Sequence, residues 1–207
     1  MRYEYTLAGQ TPLLMNNDNI EFADRLKEWQ KDPDNKKVSV AGDDRSPGWS
    51  WFGKLYLSQN LGVVLPTDNL SACLRAAGAR MILSKQKTFK ESAVAGLWFD
   101  EEELAVKVDG KPVSAAGCAE LAESGEYEFD RHQAAAHKAG FSLFMKRARV
   151  GQSKHVRVRP LFKGWSVSGT LTVTEKELTG DVVARLFDIA GTRIGLGDWR
   201  PGCRCWS

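Results

Sequence analysis

The sequence predicts an α+β domain, and three observations carry that prediction. Trp165, Val167, Leu171 and Val173 alternate with Ser166, Ser168, Thr170 and Thr172, the two-residue period of a half-buried strand. Asp109-Gly110 separates Ala105–Val108 from Lys111–Val113 as the favoured two-residue hairpin turn. Pro66-Thr67-Asp68-Asn69 supplies capping chemistry for a helix in which Leu70, Cys73, Leu74 and Ala77 share a face and Gly78 marks the end. A chain of 207 residues, 43% of them hydrophobic, suits a single domain, with or without an insertion, that buries a core without disulfide staples.

Taken in order, Arg2–Leu7 alternates as a strand and leads into a Thr11-Pro12 turn. Ile20, Ala23, Leu26 and Trp29 mark one face of a charged helix that must stop before Pro33. Residues 32–47 turn polar, with Asp-Pro, Gly-Asp and Ser-Pro steps, and read as a loop ahead of Trp49, Trp51, Phe52 and Tyr56, which are expected in the core or at its rim. Ala115–Glu123 is alanine-rich and short, a helix or a loop. Gly169 is a candidate bulge within the strand 165–173. Thr179 then caps a helix with Val182, Val183, Leu186, Ile189 and Ala190 inward, ending at Gly191.

Charge is segregated along the chain. Between Arg131 and Thr174 there is no Asp or Glu, yet this stretch holds nine of the 29 Lys and Arg and all three His, leaving 20 Lys and Arg against 26 Asp and Glu elsewhere. Clustered bases release condensed counterions on meeting a polyanion, so the pattern points to such a partner. The sharpest part is Lys146–Arg159, with six Lys and Arg interrupted by Gly151-Gln152-Ser153 as a turn would interrupt them. It reads as a basic β-hairpin finger in which Val156 and Val158 face the core and Arg157 and Arg159 face outward.

Several chemistries find no support in the motifs. Gly164-Trp165-Ser166-Val167-Ser168 lacks the closing glycine of a nucleophile elbow, and no Gly-Lys-Ser/Thr phosphate loop occurs. Gly195-Leu196-Gly197 follows a helix rather than joining a strand to one, which argues against a dinucleotide fingerprint, and no cofactor is expected. His132 and His137 do not form a metal-binding H-E-x-x-H pair and are expected on a solvated face. Cys73, Cys118, Cys203 and Cys205 do not form a disulfide framework, and Cys203-Arg204-Cys205 is a weak metal candidate set against an incidental tail. The N-terminus lacks the basic-then-apolar pattern of a signal peptide, and the apolar runs fall far short of the ~20 residues that span a bilayer, so a cytoplasmic location without membrane contact is expected.

The order of elements resembles the repeat-associated mysterious protein superfamily, in particular the Cas7-like backbone subunits of CRISPR effector complexes. The resemblance is carried by the opening strand and turn, Tyr3 to Met15, and by Val64-Leu65-Pro66-Thr67-Asp68-Asn69-Leu70-Ser71-Ala72-Cys73-Leu74-Arg75. The second stretch is similar to the family's I-P-G-S-S-L-K-G-x-L-R helix start, matching at Pro66, Leu70, Leu74 and Arg75 while Thr67-Asp68-Asn69 replaces its Gly-Ser-Ser. The third place is Ile189 to Gly202, similar to a C-terminal glycine-rich loop with arginines. Phage and prophage proteins that open on T-P-L-L-M and end on G-L-G-D-W-R-P resemble the chain more closely still.

The resemblance implies a ferredoxin-like, RNA-recognition-motif-type antiparallel sheet over 1–207, with insertions at 32–48 and about 115–160. It implies a non-catalytic protein that coats single-stranded RNA or DNA and assembles head to tail as a homo-oligomer or within a multi-subunit ribonucleoprotein. Lys146, Arg147, Arg149, Lys154, Arg157 and Arg159 are then the expected phosphate contacts, joined by Arg193, Gly195, Gly197 and Arg200, with Trp199 or Phe162 as candidates for stacking on bases. Two other readings accompany it. Asp43 and Asp44 occupy a loop comparable to one from which some family members cut RNA in a metal-dependent way, and a phage-encoded mimic could instead inhibit a host complex by protein contacts.

Overall fold

The computed structural model describes residues 1–198 and 200, and these form an α+β structure. From the N-terminus, β1 (Arg2–Ala8) and the short β2 (Leu13–Leu14) lead into α1 (Ile20–Lys31), where the Asn19 side chain accepts from the Phe22 amide. β3 (Leu57–Ser58) and β4 (Gly62–Pro66) precede α2 (Thr67–Gly78), an exposed hairpin of β5 (Ile82–Ser84) and β6 (Lys87–Thr88), and α3 (Lys90–Gly96). β7 (Leu97–Phe99), β8 (Glu103–Ala105), β9 (Lys107–Val108) and β10 (Lys111–Pro112) follow, then α4 (Ala116–Glu123) and α5 (Phe129–Lys138). Two long strands, β11 (Ser142–Val150) and β12 (Ser153–Phe162), come before β13 (Trp165–Val173) and α6 (Gly180–Ile189).

The strands fall into separate antiparallel sheets. One runs β1-β13-β9-β10, with β7 also on β13; a second runs β11-β12-β2; a third runs β3-β4-β8. Strand β13 buries Trp165, Val167, Leu171 and Val173 as its alternation predicts. Its register against β1 is continuous, Tyr5 facing Gly169, so Gly169 is a site of close approach rather than a bulge. A Cβ there would stand 2.7 Å from Leu104 Cδ2. The Asp109-Gly110 turn joins β9 to β10 as expected, both residues at positive φ, 49° and 78°.

Three local expectations need correction. In α1 the inward residues are Phe22, Leu26 and Trp29, while Ile20 is 73% exposed and Ala23 faces solvent. Packing sets this phase: Phe22 lies 5.7 Å from Phe52 and 6.1 Å from Trp49, ring centre to ring centre, over the bare backbone of Gly53. At α2 no side chain caps the first turn, and the Thr67 hydroxyl instead donates to the Glu102 carbonyl at 2.9 Å. Finally, α6 does not stop at Gly191 but runs on through a π-helical turn, Ala190–Ile194.

Trp49, Trp51 and Phe52 are core residues, as the aromatic stretch suggested. Trp51 meets Phe141 at 5.9 Å and His132 at 6.1 Å, and Phe141 lies 5.0 Å from Phe162 at the end of β12. His132 is therefore wholly buried, contrary to the solvated face expected, whereas His137 is exposed. A carbonyl only accepts, so the 2.7 Å contact to the Glu126 oxygen puts a proton on His132 Nε2. Burial pushes the His132 pKa below its ordinary value, which keeps the ring neutral inside the core.

Candidate nucleic-acid interface

Strands β11 and β12 form the predicted finger, turning at Gly151 with φ of 62°. Directly opposed residues share a face in an antiparallel pair, so the register assigns the side chains. Leu143, Met145, Arg147 and Arg149 lie on one face with Lys154, Val156, Val158 and Pro160; Lys146 lies on the other with His155, Arg157 and Arg159. Lys146, Arg147, Arg149 and Lys154 are exposed, so basic side chains leave both faces of the outer half. The ladder also sets Arg149 opposite Lys154 and Lys146 opposite Arg157, two like-charge pairs.

The base of the finger is built differently. Along the edge of β12 away from β11, the Val156 amide donates to the Gly42 carbonyl at 2.8 Å and the Asp44 amide to the Val156 carbonyl at 2.9 Å. The Val158 amide donates to Asp44 Oδ2 at 3.2 Å, the Met15 amide donates to the Pro160 carbonyl at 3.0 Å, and β2 pairs with Leu161 and Phe162. Backbone donors and acceptors of this edge thus find partners from two segments distant in sequence, residues 13–15 and 42–44. Strand β11 pairs only with β12 among the described residues.

Asp44 is the hub of this junction. Its Oδ1 lies 2.9 Å from Arg157 Nη1 and its Oδ2 3.2 Å from Arg159 Nη1. Asp198 Oδ2 reaches Arg159 Nε at 3.4 Å, and the Asp198 amide donates to the Leu14 carbonyl at 2.9 Å. Gly197 makes that approach possible, since a Cβ there would sit 2.5 Å from the Leu14 oxygen and its φ is 76°. Lys54 is half-buried beside the cluster, and burial, then the positive Arg159, holds its ammonium below the usual lysine range.

Arg159 is the principal correction to the sequence reading. It was expected to face phosphates, yet its side chain is only 11% exposed and is committed to Asp44, Asp198 and the Val158 carbonyl, the last at 2.8 Å. Arg157 is 31% exposed and held by Asp44. Val158 is fully buried as expected, but Val156 is only half-buried. Because the 42–44 loop and Asp198 cover the arginine side, both faces of β12 are closed at its base.

The remaining candidates divide. Gly197 reaches the finger base, whereas the Gly195 carbonyl accepts from Cys73 Sγ at 3.5 Å, on the α2 side. Arg200 is exposed and close enough to that thiol to lower its pKa, which burial nonetheless pushes up to about 11. Arg193 is exposed in the π-helical turn. Phe162 is fully buried, so it offers no face to a base; Trp199, Cys203 and Cys205 lie outside the described residues. Asp43 is clamped by Arg45 Nε and Nη2, and that hydrogen-bonded guanidinium holds its carboxyl below the usual range. Both carboxylates proposed for catalysis are thus occupied by arginines.

Asp198 and Lys54 belong to the junction but carry no periodic signal that would have singled them out. The available hint was indirect: a strand reading Val-Arg-Val-Arg-Pro-Leu-Phe inside an acid-free stretch must take its counter-charges from remote segments if it is buried. Comparison with known proteins finds no matching family model, no matching curated protein and no matching solved structure.

Removing Arg159 should expose the cost of this junction. Arg159→Met leaves Asp198 without its ion-pair partner among the described residues and Asp44 with Arg157 and the nearby Lys54, and is expected to destabilise by about 2–3 kcal/mol, less than the ~3–5 of a fully buried broken pair because both carboxylates keep some solvent. Urea denaturation measures it, and adding Asp198→Asn should recover part of the loss. A wild-type midpoint in Arg159→Met would show the cluster to be energetically idle.

Proposed function

We propose that the chain binds single-stranded nucleic acid along the outer half of the β11–β12 finger, as a non-catalytic coat. One observation supports this above the others: Arg149 faces Lys154 across the ladder at the exposed end of a hairpin drawn from a segment with no acidic residue. Like charges directly opposite destabilise a strand pair, and a polyanion removes that cost while gaining charge-assisted contacts. Gly197 and Asp198 bring the C-terminal loop to the same finger, so a strand lying across its base would touch both.

Head-to-tail assembly of copies along the strand, alone or in a larger ribonucleoprotein, belongs to the same reading, as does a ferredoxin-like origin of the sheet. The latter rests on the antiparallel pairing of β1 with β13 alone. Among the described residues no helix is long and apolar enough to cross a membrane.

The test is a salt titration with labelled single-stranded RNA, single-stranded DNA and duplex, with heparin as competitor. Four exposed cations on phosphates predict a slope of log affinity against log salt near −3 for single strands, or roughly a 50-fold loss between about 50 and about 200 mM salt. Flat affinity across that range would sink the proposal, and preference for an acidic host protein over either strand would favour an inhibitor acting by protein contacts.

A further inference from the structure

We infer that Asp44 is a built-in substitute for phosphate, its carboxylate filling the anion position of Arg157 until a backbone phosphate of the bound strand takes its place. The inference rests on the binding reading above and concerns how that same site is held in check. Lys54, Arg157 and Arg159 converge on one carboxylate, and the two arginines differ in how tightly they are kept. Arg159 is 11% exposed, touches Asp44 and Asp198, and donates to the Val158 carbonyl. Arg157 is 31% exposed, its ion pair is with Asp44, and it stands opposite Lys146, which is exposed on the same face.

An incoming phosphate oxygen therefore has one exchangeable guanidinium. It takes over the Arg157 Nη1 hydrogen bond that Asp44 Oδ1 accepts, while Asp44 Oδ2 keeps the Val158 amide and Arg159. The exchange swaps one charge-assisted bond for another, so Arg157 contributes little net affinity in the wild type. It also joins the outer-half cations to the finger base, extending the phosphate track along the face that carries Lys146.

Neutralising the carboxylate without changing its size isolates this competition. Asp44→Asn is expected to bind labelled single-stranded RNA or DNA about fivefold to tenfold tighter at low salt, with a log–log slope steeper by about 0.7, one additional net counterion released because no displaced carboxylate takes up a cation. Asp100→Asn removes one negative charge at a distant pair, Asp100 with Arg2, and should leave affinity nearly unchanged. Because Asp44→Asn also loosens the junction, a second measurement uses the wild type: addition of the single strand should shift the side-chain Nε nuclear magnetic resonance of Arg157 and leave that of Arg159 in place. Wild-type binding with equal or weaker affinity in Asp44→Asn, an equal gain in Asp100→Asn, or a shift at Arg159 in place of Arg157 would overturn the inference. If the wild type shows no salt-dependent binding at all, the binding reading itself fails and this inference with it.

Discussion

The double variant Arg147→Glu/Arg149→Glu is expected to lose on the order of 100-fold in affinity for single-stranded nucleic acid while folding at least as stably as the wild type. The two effects have opposite signs for one reason. Both side chains are exposed, and Arg149 sits directly across the ladder from Lys154, so reversing it turns a repulsive cross-strand pair into an attractive one. That exchange is worth roughly 0.2–1 kcal/mol in favour of the fold. On the binding side, two phosphate contacts vanish and the slope of log affinity against log salt should flatten by about 1.4. Filter binding at several salt concentrations, beside a thermal melt of the free protein, reads both. Unchanged affinity would place the contact surface elsewhere than the finger's outer half.

At the other end of β12, Phe162→Ala should be the most damaging single truncation near the site. Phe162 is fully buried, its ring centre 5.0 Å from that of Phe141, and its backbone pairs with Leu13 of β2. Emptying that volume is expected to cost about 3–5 kcal/mol, a fall in melting temperature on the order of 10 °C for a chain of this size. A stacking platform behaves in the opposite way: truncation would remove ~1–3 kcal/mol of binding per base and leave the melt alone. A normal melt with weakened binding would therefore restore Phe162 as a base contact.

The fold was legible wherever one residue period and one turn decided an element. The strand at Trp165–Val173, the Asp109-Gly110 hairpin, the buried face of α2 and the finger turn at Gly151 all rest on chemistry within a dozen residues. It was illegible where tertiary packing chose between near-equal local options. Helix α1 could have turned Ile20 and Ala23 inward, and contact with Trp49 and Phe52 selected Phe22 instead. His132 looked like a surface residue until the Glu126 carbonyl supplied its partner.

The site followed the same division. Exposed cations of the finger follow from charge and alternation, because exposure needs no partner to be specified. Arg159 could not be assigned that way, since its burial depends on Asp44 and Asp198, separated from it by 115 and 39 positions. A valine–arginine alternation gives the side on which a guanidinium lies, not whether another segment closes over that side.

The outer edge of β11, which carries no second strand among the described residues, has a consequence for colloidal behaviour. A long strand that has one strand partner among the described residues is a template for edge-to-edge fibrils, and the exposed cations Lys146, Arg147 and Arg149 along it oppose the approach of two such rims. Their mutual repulsion disperses the free protein and fades as salt or polyanion screens it. Storage at high ionic strength with no polyanion present therefore leaves this rim least guarded, whereas a bound strand would cover it; turbidity of the free protein should rise with salt.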